Sequence, residues 1–238
     1  MKLNLARSLC LALYLAASAV VADSVTLYPD RDATLIEHPH GELANGAGPS
    51  LFVGRTAQAG NSIRRALLHF DVAGALPGNA IIKDVSLTLH LSPSNPAPAD
   101  VAAHRVLDDW EEGPSSSSGG GGAMARAGDV TWLHTRYDTG YWRRTGGHFV
   151  ARQSAWTKVE ASGFYTWQNS HILLADVRLW QHAPQRNFGW LLVGNEDASQ
   201  SVKRFASRES PTSEFRPALT IHYRLPGKTR SDKIHSFQ

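Results

Sequence analysis

The sequence predicts an all-β protein, a single-domain, jelly-roll-like sandwich of antiparallel sheets. Three observations carry this. Apolar and polar residues alternate with period two in many short runs, most clearly where Val85, Leu87, Leu89 and Leu91 oppose Ser86, Thr88 and His90. Clusters of Gly, Pro, Asn, Asp and Ser separate the runs, as turns between strands require. Helical periodicity is scarce, and no unit recurs at a fixed period, which argues against a solenoid.

In chain order, VTLYP and DATLIE open the fold as short strands, and the turn-rich HPHGELANGAGPS leads to a strand at SLFVG. RRALLHFDV sets Leu68, Phe70 and Val72 on one face and Leu67, His69 and Asp71 on the other, so apolar residues on both faces suit a central strand. ALPGN turns the chain into the strand KDVSLTLHLS, ended by Pro93, Pro96 and Pro98. VAAHRVL is the next strand and runs into the acidic turn DDWEEG. Residues 113–123, GPSSSSGGGGA, have no side chains to bury and read as a flexible insertion. They lack the Gly-Lys-Ser/Thr ending of a phosphate-binding loop. DVTWL reads as a short strand, and residues 134–159 as long polar and aromatic loops. FYTW and HILLADV are strand-like, while ADVRLWQHA reads as a short helix with Val177, Leu179 and Trp180 on one face. Residues 187–223 close the fold with three strands, FGWLLVG, VKRFAS and PALTIHY. In VKRFAS, Lys203, Phe205 and Ser207 fall opposite Val202, Arg204 and Ala206.

The ends differ from this body. Residues 1–22 carry Lys2 and Arg7, an apolar run from Leu9 to Ala17 and the small-residue ending Val20-Val21-Ala22. That is the pattern of a secretory signal peptide cut after Ala22, and the run is shorter than the roughly 20 apolar residues of a membrane span. The expectation is therefore a secreted or periplasmic protein with no membrane span. The one cysteine, Cys10, falls in this leader, so the body contains no disulfide and depends on its own core. Residues 224–238 read as a disordered basic tail. Between these ends the body holds 18 basic and 20 acidic residues, so the basic character of the whole chain comes from its termini. A nucleic-acid-binding body would carry the surplus itself, and none is expected here.

Three stretches together resemble one family: RRALLHFDVAGALPGNAIIKDVSLTLHL; HRVLDDWEEG with a Gly-rich loop and GDVTW; and NFGWLLVGNE, KRFASRES and RPALTIHY in series. Their order and spacing are similar to those of the DNRLRE-type secreted β-sandwich domain, also classed as carbohydrate-binding module family 96. The resemblance spans about Asp30 to Tyr223. It implies a jelly-roll-like sandwich, secretion and non-catalytic attachment to polysaccharide, with some members recognising acidic sugars such as alginate.

Candidate binding residues follow from chemistry. All seven tryptophans lie between Trp110 and Trp190, and an exposed indole stacks on a sugar ring while a buried one fills the core. Trp180 and Trp190 sit in apolar runs and read as core. Trp132 fits either role, and Trp142, in the polar loop YWRRTGG, is the candidate platform, with packing beneath that loop as its alternative. An acidic polysaccharide would need guanidinium and ammonium groups. Arg65, Lys203 and Arg208 are the candidates, with Lys203 and Arg65 expected to share a sheet surface. Asp30, Asp32 and Glu209 would supply oxygens to a structural calcium ion if the first and last strands converge. The DDWEEG cluster reads as a solvated turn. GxSxG, HExxH and nucleophilic cysteine signatures are absent, so no enzyme is expected, although a carboxylate pair assembled by the fold would escape such a search. A structural or adhesive surface protein without a sugar site, and a polysaccharide hydrolase or lyase on the same scaffold, are the alternatives.

Overall fold

The computed structural model describes residues 23–226. The expected leader, and the tail from residue 227 onward, lie outside the described residues. In chain order the strands are β1 (Asp23–Leu27), β2 (Arg31–Ile36), β3 (Leu43–Ala44), β4 (Ser50–Arg55), β5 (Ile63–His69), β6 (Ile81–Leu91), β7 (Ala99–Arg105) and β8 (Ala123–Met124). They continue with β9 (His134–Arg136), β10 (Gly140–Tyr141), β11 (Ala155–Val159), β12 (Gly163–Trp167), β13 (Trp190–Val193), β14 (Lys203–Ala206) and β15 (Ala218–Arg224). Arg224, expected to begin the tail, is the last residue of β15. Among the described residues two α-helices interrupt the strands, α1 (Val72–Ala75) and α2 (His171–His182), with short 3-10 turns at Pro184–Arg186 and Ser213–Phe215.

The chain forms an antiparallel β-sandwich in one domain. In the first sheet β6 is central, with β15 along one edge and β12 along the other, and β1 flanks β15. The second sheet runs β2, β5, β13, β7, β11. One strand belongs to both. Leu51 to Val53 of β4 pair with β14, which meets β6 at Phe205 and Leu91, whereas Gly54 and Arg55 pair with β5. The change of sheet turns on Gly54, whose φ of +113° is open to glycine, and a Cβ there would stand 3.0 Å from the Ser201 carbonyl oxygen.

The alternation read from the sequence fills the space between the sheets. Val85, Leu87, Leu89, Leu91, Phe205, Leu219 and Ile221 of the first sheet meet Ala66, Leu68, Val101, Ala103, Trp190 and Leu192 of the second. The segment 171–182 adds Leu173, Val177 and Trp180 to this core. HILLADV was expected as a strand; it is the first half of α2. Ser170 caps that helix by accepting from the Ile172 and Leu173 amides, and the i, i+4, i+7 spacing of the three buried residues gives it one apolar stripe. Asp176 lies on the same stripe. Its carboxylate accepts from Arg105 Nε at 2.9 Å, Ser154 Oγ at 2.5 Å and Trp190 Nε1 at 3.1 Å.

A third layer covers half of the outer face of the second sheet. Outward side chains of β2, β5 and β13 (Ala33, Leu35, Leu67 and Leu191) pack against Trp110, Val130, Trp132 and Trp142 from residues 107–150. Removing roughly 200 Å² of each indole from water favours burial by about 5 kcal/mol before ordering costs, enough to hold a polar, Gly-rich segment in place. No strand forms at residues 129–133. Thr131 there instead accepts from the Leu133 and His134 amides and gives its carbonyl to Trp142 Nε1. The Ser/Gly segment 113–123, expected to be a flexible insertion, is tied down through its polar groups. Ser115 is buried and donates to Asp129 Oδ2, the Ser117 amide donates to Asn45 Oδ1, and the Gly120 carbonyl accepts from Arg64 Nε.

The acidic turn keeps Asp109 and Glu111 about half exposed, as expected of a solvated turn, but it also clamps this layer. Arg136 bridges Asp109 and Glu111 at 2.6 Å each, and Arg31 reaches Asp109. Asp108 accepts from Arg143 Nε at 2.7 Å and from His148 Nδ1 at 3.0 Å. Burial alone would raise the Asp108 carboxyl, but those two hydrogen bonds outweigh it and hold the group below its usual value of 3.8. A carboxyl depressed by folding contributes stability above its unfolded pKa and loses it as the pH falls through the folded one. Asp108→Asn is therefore expected to lower the melting temperature at pH 7. The difference from the parent should close as the pH falls below about 3.8. Parallel thermal melts from pH 7 to pH 2 check this, and a difference constant with pH would assign the Asp108 contribution to packing instead.

Candidate functional site

The other half of the second sheet's outer face is open. Its strands explain why. In β11 the side chains alternate strictly, with Ala155 and Val159 in the core and Trp156 and Lys158 pointing out. Trp156 pairs across the ladder with Ala102 of β7, which pairs with Val193 of β13, and Lys158 pairs with Asp100. The indole of Trp156, 59% exposed, thus rises at the sheet edge above a floor of small side chains. Three strands spaced about 4.8 Å apart make that floor roughly 10 Å wide. The Gly194–Asp197 turn, Pro98 and Ala99 also line it, at the end where β7 begins. The cleft so enclosed has a volume of about 750 Å³.

Its lining is mostly polar. Asp100, Lys158, Asn195, Glu196, Asp197 and Gln153 line the walls. Arg65 binds Glu196 with both arms, at 2.7 and 2.9 Å. His104 marks the border with the covered half, where its ring packs on Phe149 and its Nδ1–H donates to the Val150 carbonyl at 3.0 Å. Burial keeps the His104 imidazole below its usual pKa, and the nearby Arg65 adds to this, so the ring is neutral at pH 7. The lining then presents three carboxylates, one already matched by Arg65, against the single ammonium of Lys158. Such a site can stack an apolar sugar face on Trp156 and receive hydroxyl donors on Asp100, Asp197 and Asn195.

The residues singled out from the sequence fall elsewhere. Trp142 is buried, with its indole N–H on the Thr131 carbonyl, and offers no face for stacking. Trp132 is also buried, and the Arg65 guanidinium lies over its ring at 4.9 Å. Arg65 is engaged by Glu196, by Trp132 and by the Gly146 carbonyl. Lys203 does not share a surface with Arg65. It lies on the buried side of β14 beside Phe205, where its ammonium donates to the Asn95 and Ala97 carbonyls and burial lowers its pKa. Arg208 pairs with Glu209 at 2.8 Å and reaches Glu112 at 3.5 Å. Among the metal candidates, Asp30 is drawn away by a 2.6 Å contact to His69 Nδ1, while Asp32 and Glu209 come together with Glu112, which the sequence placed in a turn. Trp156 and its strand fall in a stretch read as loop, where Ala155, Thr157 and Val159 alternate with Trp156 and Lys158.

No helix among the described residues is long and apolar enough to cross a membrane. No protein-family model matches the chain, and no curated protein matches it.

Proposed function

We propose that the chain is an exported, non-catalytic module that binds a neutral, hydroxyl-rich polysaccharide in the open cleft beside Trp156. The observation that carries this reading is the exposed indole standing over Ala102 and Val193 on a sheet face otherwise roofed by the 107–150 layer. Export is supported by the leader-like pattern of residues 1–22, and a polysaccharide ligand by the resemblance to DNRLRE-type domains. A neutral chain suits the site better than an acidic one, because the expected basic partners Arg65, Lys203 and Arg208 are engaged within the protein and carboxylates outnumber Lys158 in the cleft. An anionic chain would meet like charge on entry.

The test is a calorimetric titration of the purified protein against neutral and uronate-containing polysaccharides, with product release assayed in the same samples. Saturable binding to one or more neutral chains, without new reducing ends or unsaturated products, is the expected result. Binding confined to uronate chains would overturn the charge argument. Absence of binding throughout would favour a structural surface protein, and released products would identify an enzyme.

A further inference from the structure

Three carboxylates meet where the start of β2, the loop after β7 and the turn after β14 converge. One oxygen each from Asp32, Glu112 and Glu209 lies within 4.8 Å of the other two. The hydrogen bonds at this point leave oxygens over. Asp32 is fully buried. Its Oδ2 accepts from the Arg208 amide at 2.7 Å, but its Oδ1 has no hydrogen-bond partner among the described residues, and neither has Glu209 Oε2. Glu112 Oε1 accepts from the Asp32 amide at 2.7 Å, capping the open edge of β2. Arg208, the one cation in contact among the described residues, leaves three carboxylates with a surplus of two negative charges.

That surplus is expensive in a buried place. An unpaired buried acceptor is penalised, and adjacent carboxylates cannot all ionise without a counter-charge. A divalent cation removes the conflict, since its two positive charges match the surplus. The donors are all oxygen, with no nitrogen or sulfur, which selects a hard ion. Three carboxylates can supply up to six oxygens, as the six- to eight-coordinate calcium ion requires, and oxygens this close to one another can share one ion.

We propose that Asp32, Glu112 and Glu209 hold a calcium ion that ties the 107–150 layer to the edge of the second sheet and to the turn leaving the first. The ion would take the unpartnered Asp32 Oδ1 and Glu209 Oε2, while Arg208 and the two backbone amides keep the other oxygens in place. This site is formed by segments other than those lining the Trp156 cleft, and the proposal stands whether or not that cleft binds sugar.

The test uses the purified protein after chelator treatment and dialysis. Calcium titrated calorimetrically should bind at one site per chain, and a concentration 100-fold above Kd should raise the melting temperature by about 5–10 °C. Terbium should bind the same site and luminesce on excitation of tryptophan, with calcium displacing it. Asp32→Asn should lose at least tenfold in affinity. Should that variant fail to fold, Glu209→Gln, at a partly exposed position, is expected to show the same loss. Absence of binding and of any melting shift up to about 10 mM calcium would overturn the proposal. So would binding unchanged in Glu209→Gln, or magnesium stabilising the protein as much as calcium does.

Discussion

Replacing Trp156 with alanine is expected to lower polysaccharide affinity by roughly 30-fold, while the melting temperature stays within about 2 °C of the parent. The size follows from the place of the residue. A central aromatic anchor in a binding patch commonly contributes about 2 kcal/mol on truncation, and here it is the wall on which a sugar ring would lie. The small effect on stability follows from its exposure, since Trp156 caps no core residue and the inward face of β11 is carried by Ala155 and Val159. Trp142→Ala is the matched control. That indole is buried over the second sheet, so its loss should lower the melting temperature and reach binding only through unfolding. Titration of both variants with the best neutral chain decides the matter. Unchanged affinity in Trp156→Ala would place any sugar site elsewhere.

Asp176→Ala should be the most destabilising single change short of the apolar core, by about 3–5 kcal/mol, or about 10 °C in melting temperature for a domain of this size. One carboxylate holds Arg105 of β7, Ser154 at the entry to β11 and the indole of Trp190 in β13. It therefore locks α2 to three neighbouring strands of the second sheet. Its loss leaves the Arg105 charge unmatched and two donors unpaired in a place with little water. Asp176→Asn keeps the volume and an acceptor and should cost less. Replacing the pair together, with Arg105→Met and Asp176→Leu, should recover part of the loss, because no uncompensated charge remains. Thermal melts of the three variants test this. A drop below about 3 °C for Asp176→Ala would mean that Arg105 finds water without strain.

The sandwich was legible wherever one face of a strand is strongly apolar. Leu87, Leu89 and Leu91 alternate with polar residues and leave no doubt about β6, and Leu219 and Ile221 do the same for β15. The reading failed where the buried face is made of small or few residues. Ala155, Thr157 and Val159 present too little apolar contrast beside Trp156 and Lys158, so β11 passed for a loop. In α2 the second half was legible as a helix from Val177 and Trp180, but the adjacent Ile172, Leu173 and Leu174 mimic a buried strand, and the first turn emerges only when Ser170 is seen as a cap. The candidate sites failed for a different reason. Whether Trp142 is a platform or a filler depends on Ala33 and Leu35, more than a hundred residues earlier. Lys203 and Arg65 read as surface charges because their partners, the Asn95 and Ala97 carbonyls and Glu196, are equally remote in sequence. The acidic cluster was half legible: Asp32 and Glu209 were paired by the expected meeting of first and last strands, but Glu112 needed the third layer.

The strand shared by the two sheets has a consequence for recognition. Because β4 is hydrogen-bonded into both, the sheets cannot hinge apart at that point without breaking one of its two backbone ladders. The floor of the cleft is laid on strands of one of those sheets, so it is held in shape before any ligand arrives. A chain settling there loses its own freedom but asks for little rearrangement of the protein. On the function proposed, the cleft would act as a fixed template, on which a sugar polymer is sorted by how well its shape and hydroxyls already fit.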